Sequence, residues 1–291
     1  MPNPIRFVFA VHLHQPVGNF DSVFEQHLAD VYRPFLEKVD ERGFLPVVLH
    51  LSGPLLEWLE RHDPGYLDQL ARLAGDGRLE LLCGGMYEPI LASLPRQDRV
   101  EQVGWLREAI ARRFGVNPTG LWLTERVWEP DLTADLVDAG VRYALVDDRH
   151  FLVGGFERER LHVPFRTEHD GRQLALFPID ERLRYLIPFR PPAETAAHLR
   201  ELAAAGQPLA VFADDGEKFG GWPGTRKWVY EDGWLDQFLS TLGALVDGGE
   251  VHLTTFAEAL EAIPSGGLAY LPTASYREME AWSLPAPGAR R

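Results

Sequence analysis

A parallel α/β barrel is the fold that this 291-residue sequence predicts, and three observations predict it. Short apolar, β-branched or aromatic runs alternate with longer amphipathic ones, so a period of two repeatedly gives way to a period near 3.6. No low-complexity linker interrupts the alternation, which favours one continuous domain. Acidic and histidine side chains gather where the candidate strands end, the face on which such barrels carry their chemistry.

The first candidate strand, residues 6–12, runs into His12 and His14, and a helical pattern over 22–41 follows. A strand at 46–52 leads into helical patterns at 54–62 and 66–74, and a strand at 79–85 runs on to Tyr87 and Glu88. Next come a helix over 98–114, a strand at 121–125 closed by Glu125, and a helix over 132–139. Strands at 143–148, closed by Asp147 and Asp148, and at 174–179 precede a helix over 193–204. A strand at 209–214 closes on Asp214 and Asp215; a helix over 234–246, a strand at 251–255 and a helix over 256–262 complete the pattern. Trp58, Trp105 and Trp234 fall in amphipathic helical patterns and are expected to pack in the core.

Composition narrows the function. The formal charge of −14, from 43 acidic and 29 basic residues without a basic block, argues against nucleic acid or an anionic membrane as the partner and suits a neutral ligand. Cys83 is the one cysteine, so neither an intrachain disulfide nor a thiolate zinc site can form, and the default location is cytoplasmic. The start lacks the features of a secretory signal and no apolar run is long enough to span a bilayer, so a soluble protein is expected.

Two segments carry the chemistry. In GLWLTERVWEP (residues 120–130), Glu125 emerges at a strand end beside Arg126, between Trp122 and Trp128. A carboxylate beside a guanidinium is favoured in its ionised form, as a nucleophile requires, and indole faces suit a sugar ring. The structural alternative is an ion pair between Glu125 and Arg126 with the tryptophans in the core. In VFADDGEKFGGWPGT (residues 211–225), two aspartates close a strand; side chains alternate, so one of Asp214 and Asp215 orients the site and the other does the chemistry. Trp222 lies in a Gly-Trp-Pro-Gly loop that looks exposed, and a simple turn or a Ca²⁺-type Asp-Asp-Gly is the competing reading. Paired carboxylates with aromatics around them are the minimum apparatus for cleaving a glycosidic bond, and retention of configuration needs them about 5 to 5.5 Å apart. His12 and His14 share one strand face as a sugar-binding pair, a support for the carboxylates, a core pair or a metal pair. Glu80, inside its strand, is either a buried hydrogen-bonding partner or an edge residue, the former being preferred.

These segments resemble glycoside hydrolase family 57. The matching motifs are HLHQPVGNF (12–20), HLSGPLLEWLE (50–60), RLELLCGGMYEPIL (78–91), GLWLTERVWEP (120–130), FPIDERLRYLIPFRP (177–191), FADDGEKFGGWPGT (212–225) and LPTASYREMEAWSLP (271–285). The resemblance implies a (β/α)₇ barrel, distorted and TIM-like, a retaining mechanism, no cofactor or obligatory active-site metal, and an α-1,4-glucan or malto-oligosaccharide substrate. It implies Glu125 as nucleophile and Asp215 as general acid/base, with His12, His14, Glu80, Trp122 and Trp222 contacting sugar or supporting the site. Tyr87, Glu88, Arg126, Asp214 and Trp282 complete the expected substrate-binding set. Eight candidate strands against seven imply that one, taken as 174–179, lies outside the closed barrel. The family continues into a helical region and a β-sandwich, whereas residues 1–291 read as a single catalytic barrel domain, which leaves the balance of transfer to an acceptor sugar (4-α-glucanotransferase) against transfer to water (α-amylase) open.

Two other functions compete. A metal-dependent polysaccharide deacetylase uses a similar barrel but needs an aspartate with two histidines about one helical turn apart, and no two of the ten histidines are four residues apart. A non-catalytic glucan-binding or regulatory barrel would keep the binding residues without turnover.

Overall fold

Alternation along the strands sorts the side chains into two layers. In β1 (Ile5–Leu13), Phe7, Phe9 and Val11 pack outward against helices, while Val8 and Ala10 pack inward with Leu209, Val211 and Ala213 of β8 (Leu209–Asp215). The same rhythm carries His12 and Asp215 onto the inner face, and their Cα atoms are register partners. The computed structural model from which this description comes covers residues 4–44 and 46–282.

β1 pairs in parallel with β8 and with β2 (Val47–Leu51), which pairs with β3 (Leu79–Leu82). A second sheet runs β4 (Gly120–Leu121), β5 (Tyr143–Asp147), then β7 (Arg172–Ile179), all parallel, with β6 (Phe165–His169) antiparallel on β7. Two seams join the sheets: Cys83 bridges Leu121, and the Asp180 amide donates to the Val211 carbonyl at 3.0 Å. The result is a ring of the seven parallel strands β1, β2, β3, β4, β5, β7 and β8, wrapped by helices that include Gly53–His62, Pro64–Gly75, Arg96–Phe114, Pro192–Ala204 and Trp234–Asp247. No helix among the described residues is long and apolar enough to cross a membrane.

The strand outside the ring is therefore not 174–179, which lies in the wall as β7. It is β9 (Val251–Leu253), which pairs with Ile5, Arg6 and Phe7 of β1. The reason is stagger: β2 meets β1 only from Ala10 onward, and β9 fills the edge left open below it. β6 escaped the sequence reading, although its turn carries the Asp-Gly signature of a tight hairpin, with Asp170 and Gly171 at φ 55° and 75°. Trp58 and Trp234 are buried as expected, whereas Trp105 is 46% exposed on the outer side of its helix.

The bottom of the ring is plugged by helix Phe256–Ala262, which opens with a capping box between Thr255 and Glu258. Phe256 enters the barrel and meets the rings of Phe177 and Tyr143 at centroid distances of 4.9 and 5.9 Å. Truncating this plug in Phe256→Ala should cost about 3–5 kcal/mol, read as a lower midpoint of chemical denaturation with an unchanged slope.

Candidate active site

Above that plug, on the inner face where the parallel strands end, lies a cavity of about 680 Å³. Eight of the expected residues line it: His12, His14, Glu88, Trp122, Glu125, Arg126, Asp215 and Trp222. Each arrives for a local reason. His12 and Asp215 continue the inward rhythm of β1 and β8; Glu88 and Glu125 are turned inward by left-handed backbone, at φ 51° and 50°.

Glu125 does not end a strand as expected. β4 stops at Leu121, and Glu125 sits in a tight turn over Thr124–Arg126 in which Arg126, at φ 48°, is also left-handed. Consecutive non-glycine residues in that region cost roughly 1–3 kcal/mol each and persist only when neighbours hold them. Here Ser275 Oγ donates to the Glu125 carbonyl at 2.5 Å, and His150 Nε2 donates to that of Arg126 at 2.7 Å. Tyr276 then donates its hydroxyl to Glu125 Oε2 at 2.5 Å. Arg126, expected beside the Glu125 carboxylate, instead lies between the faces of Trp122 and Tyr276, 5.1 Å from each ring centre, with its guanidinium 3.7 Å from Asp214.

Asp214 and Asp215 part as strand alternation requires. Asp214 is fully buried on the outer face, where Arg184 Nε donates to it at 3.1 Å and Lys218 Nζ also donates. Asp214 was expected to touch substrate; it does not line the cavity. Burial alone would raise its pKa, but Arg184, Lys218 and Arg126 outweigh that and hold it below the usual carboxylate range. Asp215, facing the cavity, is pushed above that range by burial and by the Asp214 charge beside it. One aspartate is thus a fixed anion and the other a group suited to carry a proton.

The histidine side of the cavity is a linked cluster. His12 stacks on Trp122 with ring centres 4.6 Å apart, and its Nδ1 pairs with His50 Nδ1 at 2.7 Å. Burial, then His50, holds His12 well below the ordinary histidine value. Burial also opposes the charge on His14, yet its contact with the Glu88 carboxylate raises its pKa. Burial pushes Glu217 up to about 7, although it accepts from the Tyr32 hydroxyl at 2.6 Å and the His14 amide at 2.9 Å.

Two further expectations are corrected, and a third falls outside the described residues. Glu80 faces inward but one layer too low: its oxygens accept from the amides of Phe256 (2.7 Å) and Ala257 (3.2 Å) and from Tyr143, which ties β3 to the barrel plug. Tyr87 points out of the cavity toward Glu57, because the turn that swings Glu88 inward leaves its neighbour outside. Trp282 closes helix Arg277–Trp282, and its side chain lies outside the described residues. Sequence reasoning missed Arg184, Lys218, Glu217, His50 and Tyr276, as well as the cavity-lining Tyr185 and Phe189. All but His50 lie in the quoted motifs at 177–191, 212–225 and 271–285, within reach of a reading that asked what neutralises a buried Asp214.

The sequence model of glycosyl hydrolase family 57 matches residues 8–272, and the chain belongs to that family. It is 48% identical over 287 residues to a 4-alpha-glucanotransferase of Thermococcus litoralis, covering 98% of this chain and 43% of that protein. It is 47% identical over 291 residues to an alpha-amylase of Pyrococcus furiosus, covering 100% of this chain and 44% of the relative. The crystal structure of the T. litoralis 4-alpha-glucanotransferase superposes with a TM-score of 0.94 at 48% identity, over 99% of this chain and 45% of that one. The chain thus spans less than half the length of the relatives it matches.

By NMR, His14 should titrate above the ordinary histidine value. Glu88→Gln should lower that value, because it removes the anion that favours the imidazolium.

Proposed function

We propose that this chain carries the catalytic barrel of a retaining α-1,4-glucan-active enzyme that works in the cytoplasm, with Glu125 as nucleophile and Asp215 as general acid/base. The observation that carries the reading is the divided aspartate pair: a buried Asp214 held below the usual carboxylate range, beside an Asp215 whose pKa is raised, in the cavity that Glu125 also lines. Glu125 offers one carboxylate oxygen to the anomeric carbon while Tyr276 holds the other. As the glycosidic C–O bond breaks, Asp215 gives its proton to the departing oxygen and a glycosyl ester forms on Glu125. Asp215, now a carboxylate, takes the proton of an acceptor hydroxyl, which attacks the same carbon and frees Glu125.

The acceptor is another sugar or water. Half-exposed Tyr185, Phe189 and Trp222 on the cavity wall, with Trp222 and Phe189 ring centres 6.0 Å apart, give flat apolar surfaces on which a second sugar can stack. The names of the relatives, 4-alpha-glucanotransferase and alpha-amylase, cover both outcomes.

Incubation with maltoheptaose and chromatography of all products tests the reading. A ladder both longer and shorter than the input marks transfer; shorter products alone mark hydrolysis. Asp215→Asn should slow turnover by about 10²–10⁴-fold, and Glu125→Gln should abolish it. A folded chain that binds glucan but yields no products, before and after these substitutions, would make it a binding barrel.

A pH profile supplies a second test. The first step requires protonated Asp215, so activity falls as pH rises through its raised pKa. Asp214→Asn removes the neighbouring anion that raises this value and leaves Arg184 and Lys218 facing Asp215. The alkaline limb of kcat/KM should therefore move to lower pH.

A further inference from the structure

The histidine cluster lining the cavity has a donor set that sugar binding does not require. His12 and His14 sit two residues apart, and Glu88 is turned toward them by its left-handed backbone, with its amide donating to the Gly85 carbonyl at 3.0 Å. One nitrogen from each histidine and one oxygen from Glu88 all lie within 4.8 Å of one another. His12 Nε2 is 3.4 Å from Glu88 Oε1. Ligand atoms on a tetrahedral ion with bonds of about 2.0–2.1 Å stand about 3.3 Å apart.

We propose that His12, His14 and Glu88 form a three-ligand site for a divalent transition-metal ion of the zinc type, with a fourth position open to the cavity, and that an ion bound there blocks the sugar site. Three observations support it beyond the clustering. Glu88 Oε1 is a buried atom without a hydrogen-bond partner, its other oxygen being taken by His14 Nδ1, and the Glu88 side chain is only 6% exposed. His12 Nδ1 is engaged by His50 at 2.7 Å, the kind of outer bond that fixes a ligating imidazole and leaves its other nitrogen for an ion. Glu125 lines the same cavity and adds a further carboxylate on the side open to the ion.

Two imidazoles and one carboxylate match Zn²⁺, Co²⁺, Ni²⁺ or Cu²⁺; Ca²⁺ and Mg²⁺ demand more oxygen ligands than the cluster offers. The ion would occupy His12, His14 and Glu88, which line the same cavity as Glu125 and the adjacent Asp215, so glucan and metal exclude each other. The metal affinity does not depend on the glucan reading; the mutual exclusion rests on it.

The test is calorimetric titration of Zn²⁺ into chelator-treated protein, with Co²⁺ absorption as a report of geometry. One equivalent of Zn²⁺ and the visible bands of low-symmetry, imidazole-ligated cobalt are expected. His14→Ala, at a half-exposed position, and Glu88→Gln should each weaken binding about tenfold or more, with melting curves showing that both variants are folded. No stoichiometric binding, octahedral aqua-type cobalt bands, or unchanged affinity in the folded variants would overturn the site and leave His14 and Glu88 as an ordinary ion pair. Binding of Co²⁺ by a chain that turns over no glucan would sink the glucan reading alone. Zn²⁺ and maltoheptaose bound together without competition would overturn the blocking role.

Discussion

The buried Asp214 carboxylate is the constraint on which the site depends. An ionised carboxylate without solvent is stable only if cations and hydrogen-bond donors surround it, and removing one partner of such a group typically costs about 3–5 kcal/mol. Its partners come from separate stretches of chain: Arg184 from the helix after β7, Lys218 from the turn after β8, and Arg126 from the turn after β4. Arg184 also donates to Asp147 at the end of β5, at 2.8 Å. One anion thereby fastens four strand ends across the upper part of the ring.

That anchoring also sets the chemistry. Had Asp215 carried the cations, it would be a fixed anion and unable to hold a proton. Because Asp214 takes them, Asp215 experiences burial and a neighbouring negative charge, both of which favour its neutral form. Arg126, drawn to Asp214 and sandwiched by Trp122 and Tyr276, leaves Glu125 to the Tyr276 hydroxyl. The left-handed turn at Glu125 and Arg126 is held from outside by Ser275, Tyr276 and His150, so its strain is balanced by segments distant in sequence.

Most of the wall was legible before the structure, because β-strand alternation and helix periodicity are local properties. Eight strands were found, with the shortest, β4, overextended, since two residues of pairing leave little period to read. The hairpin partner β6 was missed because Phe165–His169 is half polar, as an edge strand is, despite the Asp-Gly turn that follows it. The mistaken choice of which strand lies outside the ring had a different cause. Stagger between β1 and β2 opens the place for β9, and stagger leaves no mark on either strand's own sequence.

The sequence by itself determined the parallel α/β architecture, the two carboxylate-bearing segments, and the opposite facing of Asp214 and Asp215, because a period of two obliges neighbours on a strand to face opposite ways. Which aspartate faces the cavity, that Glu80 serves the barrel plug, and that Tyr87 points away were decided only when the strands closed into a ring. So was the meeting of Tyr276 with Glu125, two residues 151 positions apart. Contacts of that kind depend on the register and curvature of the whole sheet, which are collective properties of the packed strands and are not encoded within any one segment.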